Sequence, residues 1–598
     1  MDRGVSLSAK LPDFGVRLIV PLHQRLVVNQ WLEEGFRMLR RFVGASRWLR
    51  RAVCGAALCG VVLNAANVAS AASPKLIVVV SVDQLCEDYL IRFADNFSEE
   101  GIFRRVDRDG AHYSNCHHRH SLTVTAPGHA VQLSGAYPNT HGVIENNWYD
   151  RDLKKRRYCV SDPLTKVVGI ESKNGMSPRV LRVDTVGDRM KLASRQSKVF
   201  GIAIKDRASI LMSGHAADAA YWMEKNNWVT TEYYRPDLPS YLQALNVAKF
   251  LDSYRGKQWN LLHPQAKYHN NGPDKNDWEN PPKGFDTEFP HEIFKPGEGL
   301  PDELDDQVLG SPFGNEVTLS AAKLLIQHEE LGQDSVTDLL CINLSSNDYV
   351  GHAFGPQSLE VEDITYRTDI ELGRFTQHLD QQIGQGQWTL FITADHGVAP
   401  IVQVAQQLKL PGVRNPLPQD TIKMELETHL RASLGIANDV KPSLIEFCED
   451  MALYLDHKHP QLAGDRLPLA RKLARDWIAK HRYIAVAKSR EDLLFGNGDD
   501  LHAAMRRMYH PQLSGDVVWC LTPYCVPGTQ KRGTTHGSPW FYDTHVPLLA
   551  IGAGIKHGRF GRLVSPACLA STVARLANVD APGGNVETPL SEALGDAK

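Results

Sequence analysis

The chain has 598 residues, 42% of them hydrophobic and 23% charged, with a formal net charge of −3. This composition excludes wholesale disorder and collagen-like or coiled-coil architecture, and the length allows three or four small domains or one large domain with insertions. The near-neutral charge excludes a broad cationic footprint, so no nucleic-acid partner is expected, and no 20-residue apolar run marks a multi-pass membrane protein.

Charge is unevenly spread. Residues 1–71 carry ten Lys/Arg and four Asp/Glu, a net of +6, which leaves −9 on the rest. Arg47, Arg50 and Arg51 precede an apolar stretch from Ala52 to Leu63, and small residues follow, ending in Ala69-Ser70-Ala71. These are the three regions of a secretory signal peptide, so the expectation is a periplasmic or secreted protein with no stable membrane span after cleavage. A short transmembrane anchor is the alternative. Met38, just before Leu39-Arg40-Arg41, is a candidate true start. Export permits disulfides. Of the eight cysteines beyond the leader, Cys520 and Cys525 flank a Pro-containing turn and form the best local pair.

From Lys75 to Asp83 runs a continuous apolar segment ending in an acid, the pattern of a central parallel strand covered on both faces. Similar runs recur at Val199 to Ile204, Leu339 to Leu344, Trp388 to Thr393 and Val546 to Ile551. Between two of them, Leu372, Phe375 and Leu379 make a helical stripe after Pro356 and before Gly384. Alternating strands and helices predict an α/β domain around a mostly parallel sheet. Residues 260–312, rich in Pro, Gly, Asn and Asp, read as a long surface excursion, and residues 404–525 break the alternation and read as an inserted cap. No Walker A loop and no Gly-x-Gly-x-x-Gly follows a strand.

In open α/β sheets, ligands bind beyond the carboxyl ends of the strands. Asp83 follows the first run. Ser121 to His129 leads into a helical stretch, Ala130 to Gly135, with Thr125 where an N-cap stands and Pro127 in the first turn. Thr125 is therefore either a cap or a hydroxyl at a ready-made anion site. Lys205-Asp206-Arg207 follows the second run, and on its own is a solvated charged turn. Asp348 and His352 follow the third run, Asp395-His396 the fourth, and Thr535-His536-Gly537 precedes the last. Three carboxylates and three imidazoles thus collect at one sheet edge, and Asp oxygen and His nitrogen are the ligands of a catalytic Zn²⁺ when thiolates are absent. Spacing alone does not select them, because Asp456-His457 also follows an apolar run.

Taken together, Thr125-Ala-Pro-Gly-His129, the loop from Gly135 through Asn146 to Asp150, Asp348 with His352, Asp395-His396 and Thr535-His536-Gly537-Ser538-Pro539 resemble the nucleophile helix and metal motifs of the alkaline phosphatase superfamily. Lys205-Asp206-Arg207 narrows the resemblance to the phosphate-irrepressible, threonine-nucleophile alkaline phosphatases. It runs from about residue 75 to about 590 and is weakest in 255–312 and 404–515. The resemblance implies an alkaline-phosphatase-like α/β fold: a central, mostly parallel sheet flanked by helices. A leader would occupy residues 1–71, and a catalytic domain residues 72–598 with insertions at about 255–312 and 404–525.

It also implies two Zn²⁺ per chain and hydrolysis of small-molecule phosphate monoesters through a phosphothreonine. Asp348, His352 and His536 would hold the zinc at the leaving-group oxygen. Asp83, Asp395 and His396 would hold the zinc that touches Thr125, the nucleophile. Asn146, Lys205 and Arg207 would bind the phosphoryl oxygens. His129, His141 and His545 are read as structural. A sulfatase would need Cys or Ser where Thr125 stands and Arg where His129 stands. A nucleotide pyrophosphatase/phosphodiesterase shares the threonine and six ligands but is not expected to carry the Lys-x-Arg pair, and it is the main alternative. A non-catalytic metal-binding receptor is the third reading.

Overall fold

The structure, a computed structural model, describes residues 73–270, 272–294, 304–416 and 418–595. The expected leader, residues 1–71 with Met38, lies outside the described residues. A ten-stranded sheet organises the chain. In spatial order its strands begin at residues 558, 111, 548, 388, 76, 338, 199, 219, 227 and 167. The central five are parallel, and antiparallel strands extend the sheet on both sides. Every residue of Leu76–Val82, Val199–Ala203, Asp338–Leu344 and Trp388–Thr393 is buried. That is why these strands read as unbroken apolar runs: both faces are covered, so neither is selected for polarity.

The register aligns the strand ends. Val82 pairs with Leu344, Ser81 with Thr393 and Ala203 with Asn343, so the chain leaves the sheet at one edge beside Asp83, Ser345, Ala394 and Lys205. Helices pack on this frame in two sets. Pro312–His328 lies on Leu359–Gln382, and Thr125–Ser134 lies on Asp206–Ser213 and Cys568–Leu576. In Leu359–Gln382 the side chains of Leu372, Phe375 and Leu379 are fully buried, each stabilising the fold by roughly 1.5–3 kcal/mol. Ser358 caps this helix through Val361 N–H, and the chain turns away at Gly384 with φ +108°.

A second, four-stranded antiparallel sheet comes from Ile445–Glu449, Ala452–Leu455, Ile484–Ser489 and Val517–Leu521. Helices Gln419–Leu434 and Arg466–Ile478 cover it, and Leu426, Leu430, Leu453, Leu455 and Trp519 form part of its own core. The turn between its first two strands, at Asp450 and Met451, takes left-handed backbone and faces the site described below.

Two expectations are corrected. The described part of residues 260–312 has few regular elements, among them the helix Leu304–Leu309, but is not wholly superficial: Tyr268, Phe285 and Ile293 are buried, as is Trp259 just before them, and its Nε1 donates to Asp363 at 2.6 Å. Glycine and proline make the backbone irregular while the aromatic residues among them still seek the core. Cys520 and Cys525 are not bridged, and all eight described cysteines are free and buried. Cys520 packs with Leu493, Met505 and Tyr509, whereas Cys525 belongs to the separate core of the second sheet. Among the described residues no helix is long and apolar enough to cross a membrane.

Candidate active site

Thr125 opens the helix Thr125–Ser134. The residue before it, Val124, is extended and occupies the cap position, so Thr125 is the first helical residue and not the cap. Its hydroxyl makes no capping bond and lies 3.4 Å from His396 Nε2. The helix sits directly on the Asp395 loop because residue 128 is glycine: a Cβ there would meet Asp395 O at 2.3 Å. Of the N–H groups at this helix start, that of Ala126 donates to Asn146 Oδ1 at 2.9 Å, which leaves the Asn146 Nδ2 as a donor.

Two carboxylate–imidazole groups flank the threonine. Asp348 and His352 stand one turn apart on Ser346–Phe354, with Nε2 to Oδ1 at 3.2 Å, and His536 Nε2 lies 3.7 Å from the same oxygen. In the other group His396 Nε2 lies 3.6 Å from Asp83 Oδ1 and 3.2 Å from Asp395 Oδ2. The His396 and His536 rings stack, joining the groups. Asp83 and Asp395 also lie close to His129. Both nitrogens of His129 are engaged, however: Nε2 accepts from Asn343 at 2.9 Å and Nδ1 donates to Thr125 O at 2.8 Å. His129 thus pins the helix that Thr125 opens, with its Nδ1 also 3.3 Å from Asp395 Oδ2.

The chemistry of these groups fits divalent metal. Each of the three remaining imidazoles faces a backbone carbonyl with Nδ1: His352 that of Thr534 at 2.8 Å, His396 that of Gly397 at 3.0 Å and His536 that of Thr123 at 2.7 Å. A carbonyl only accepts, so each Nδ1 carries a proton, and in the neutral ring each Nε2 turns a lone pair toward carboxylate oxygen; at His352 burial lowers the pKa but Asp348 raises it further, so without metal a proton there competes for the same place. Lone pair facing lone pair calls for a cation between them. Asp83 Oδ1 and Asp395 Oδ2 are buried without hydrogen-bond partners. Burial pushes His396 and His536 well below their ordinary imidazole range, holding them in the neutral, ligating form. The acids diverge. Burial and the Asp83 charge drive Asp395 well above the carboxylate range, whereas at Asp348 burial is outweighed by His352 and Lys205, which hold it well below.

Lys205 bridges the groups. Its Nζ donates to Asp83 Oδ2 at 2.8 Å and to Asp348 Oδ2 at 2.5 Å. Burial lowers its pKa, but the two carboxylates raise it further, so it stays charged. Arg207, two residues on, touches neither metal group; its Nη1 donates to Tyr158 Oη at 3.2 Å. Beyond these residues opens a cleft of about 1010 Å³ lined in part by Asn146, Tyr349, His352, Met451, Trp519 and His536. Thr125, Asn146, Lys205 and the six candidate metal ligands are thus brought together, whereas Arg207 meets Tyr158 beside them, and His141 and His545 lie apart, His141 Nδ1 accepting from Val143 N–H and His545 bonding Ser114 O. The decoy lies apart as well: His457 bonds Asp516 at 2.8 Å beside the second sheet.

Two further site residues carried no legible signal. Gln84 donates its backbone N–H to Asp395 Oδ1 at 3.2 Å and its side-chain amide to Asp348 Oδ1 at 2.5 Å, so one residue steadies an acid of each group. It does so with φ +68°, a conformation sequence does not announce for glutamine. Asn343 reaches both Ser81 O and His129 from the end of its strand.

Residues 77–468 match the type I phosphodiesterase / nucleotide pyrophosphatase family. The chain is 34% identical over 529 residues to a Myroides odoratus protein named calcium-transporting ATPase, covering 87% of this chain and 95% of that one. It is 33% identical to alkaline phosphatase PafA of Elizabethkingia meningoseptica, with the same coverage, and 32% identical to alkaline phosphatase PhoV of Synechococcus elongatus, over 88% and 93% of the two chains. The crystal structure of wild-type PafA superposes with a TM-score of 0.79 over 87% of this chain and 99% of that one, at 33% identity. Fold and site together define an enzyme of the alkaline phosphatase superfamily. The chain belongs to the type I phosphodiesterase / nucleotide pyrophosphatase family, and within it is a phosphomonoester hydrolase of the PafA and PhoV kind.

Proposed function

We propose that this is an exported, two-zinc alkaline phosphatase that cleaves small phosphate monoesters through a phosphothreonine at Thr125. The observation that carries the reading is the Thr125 hydroxyl at the start of a helix, 3.4 Å from His396 Nε2, beside the Asp348, His352 and His536 group and the His396 imidazole with Asp83 and Asp395 around it. Asp83, Asp395 and His396 would hold one zinc next to Thr125. Asp348, His352 and His536 would hold the other. When bound, the two ions supply charge stabilisation at the attacking and leaving oxygens and a lowered pKa for hydroxyl or water.

The chain's own residues do the rest. Thr125 Oγ1 gives up its proton to solvent and attacks phosphorus, forming the phosphoester as the bond from phosphorus to the leaving alkoxide breaks and the alkoxide takes up a proton. Water then cleaves that ester, returning the threonine hydroxyl and releasing inorganic phosphate. Phosphoryl transfer requires mainly positioning and charge neutralisation. Asn146 Nδ2, the Lys205 ammonium and the Arg207 fork would supply these at the three non-bridging oxygens.

Lys205 and Arg207 also favour monoester over diester, because a diester offers one charge fewer and an ester group in place of one oxygen. A diester-preferring enzyme is the competing reading within the family. Export rests on the leader's charge step and on Ala69-Ser70-Ala71. We assign residues 1–71 to that leader and 72–598 to one catalytic domain, with the 404–525 insertion as its cap.

Matched assays with p-nitrophenyl phosphate and bis(p-nitrophenyl) phosphate, on protein of measured zinc content, test the proposal. About two zinc per chain and a higher kcat/KM for the monoester are expected. Full activity in metal-free protein, or a preference for the diester, contradicts it.

A further inference from the structure

Asn146 and Arg207 come from distant parts of the chain, and one hairpin ties them together. Strand Asn147–Asp150 pairs antiparallel with Lys155–Tyr158, and Asn147 lies opposite Tyr158. The N–H of Cys159, just past Tyr158, donates to the carbonyl of Asn146 at 3.0 Å. The end of this hairpin is therefore fixed to the backbone of one phosphoryl-binding residue.

The same end grips the other. Tyr158 Oη donates to Asp206 Oδ1 at 2.5 Å, and Arg207 Nη1 donates to Tyr158 Oη at 3.2 Å. A phenol has one proton. Asp206 takes it, so only oxygen lone pairs face the guanidinium, and Tyr158 acts there as an acceptor. Asp206 Oδ1 also accepts the backbone N–H of Arg207 at 2.6 Å, so one carboxylate orients the phenol and anchors the arginine main chain. Among the described residues no carboxylate forms an ion pair with the Arg207 guanidinium, and its Nε is sealed from solvent without a hydrogen-bond partner. The fork is aimed by a neutral acceptor that does not compete with a phosphoryl group for its charge.

We propose that Tyr158, oriented by Asp206, is a positioning residue for phosphoryl recognition: it sets the angle of the Arg207 fork and keeps it in register with Asn146. The inference rests on the reading of Arg207 as a phosphoryl ligand. A direct carboxylate in place of the phenol would neutralise the guanidinium; the relay through a hydroxyl fixes its direction and preserves its charge.

The test is a double-mutant cycle with Tyr158→Phe, Arg207→Ala and the double variant, read as kcat/KM for p-nitrophenyl phosphate and for bis(p-nitrophenyl) phosphate. Zinc content and unfolding midpoint are measured on each protein. Tyr158→Phe keeps the ring and removes only the oxygen. It is expected to lower monoester kcat/KM about tenfold, the scale of one hydrogen bond to a charged group, and to leave the diester rate and zinc content unchanged. In the Arg207→Ala background Tyr158→Phe is expected to cost nothing more. Equal falls for both substrates, or penalties that multiply, would overturn the positioning role. Wild-type rates in Tyr158→Phe with slow Arg207→Ala would overturn it too while leaving Arg207 in place. Wild-type monoester rates in Arg207→Ala would overturn the reading beneath it.

Discussion

Lys205 and Arg207 look alike in sequence, two cations on one strand-to-helix turn, yet the structure gives them different surroundings and so different mutational signatures. Arg207 touches neither metal group. Arg207→Ala should therefore remove one preorganised donor to a transition-state oxygen, a loss of about 2.7–4 kcal/mol or 10²–10³ in monoester kcat/KM, with zinc content unchanged. Lys205 bonds Asp83 at 2.8 Å and Asp348 at 2.5 Å, one carboxylate from each group, and is 5% exposed. Lys205→Ala should lower monoester turnover by a similar factor. In addition it removes the ammonium that two buried acids share, and breaking a buried pair typically costs about 3–5 kcal/mol. The metal-free Lys205→Ala protein should lose that much stability in denaturant unfolding, whereas metal-free Arg207→Ala should not. Bound metal should narrow the difference, because divalent ions pair the same acids. The double variant should shift the monoester-to-diester ratio strongly toward the diester. If Arg207→Ala loses zinc, or if monoester and diester rates fall equally, the division of labour argued from these distances is wrong.

Three other outcomes follow from the structure. Gly128→Ala should cut activity more than stability, since its Cβ would strike Asp395 O at 2.3 Å and lift the Thr125 helix from the Asp395 loop; overpacking of this kind costs about 1–3 kcal/mol, and an unchanged kcat would refute the close-approach argument. His396→Ala should lose at least one zinc by elemental analysis while His457→Ala keeps both, because His457 bonds Asp516 away from the cleft. His112 bonds Glu87 at 2.8 Å and faces Asp107; burial lowers its pKa, but these two acids raise it more, to about 9 from 6.5. A raised folded-state pKa stabilises fully below the unfolded value and fades as pH rises through the folded one. The stability advantage of the wild type over His112→Gln should therefore decline between about pH 6.5 and 9; an advantage that grows over that window would contradict the assignment.

Much of the frame was legible because it rests on burial. The runs at Leu76–Val82, Asp338–Leu344 and Trp388–Thr393 are apolar on both faces, and the polar residue after each one falls at the sheet edge by register alone. What escaped depends on side-chain direction and long-range contact. For Thr125 the sequence left a helix cap and a hydroxyl at an anion site both open; the structure removes the cap, because Val124 holds that position and the Thr125 hydroxyl faces His396. Gln84 bridges both acid groups with its backbone N–H and side-chain amide from the left-handed region, a conformation nothing in the amino-acid pattern signals for glutamine. Tyr158 lies in a polar hairpin, Lys155-Arg156-Arg157-Tyr158, that reads as surface until Asp206 and Arg207 close on it from 48 and 49 positions away. Cys520 and Cys525 are near in sequence but pack into separate cores.

The most direct measurement for the central claim is acid-quench peptide mapping during steady-state turnover of a phosphate monoester. The account predicts one phosphoryl group on the peptide carrying Thr125 in the wild type. It predicts none in Thr125→Ala, whose turnover should be very slow, and a retained phosphoryl group in Thr125→Ser, whose hydroxyl survives. Wild-type turnover by Thr125→Ala, or a phosphoryl group trapped on another residue of the active protein, would contradict it.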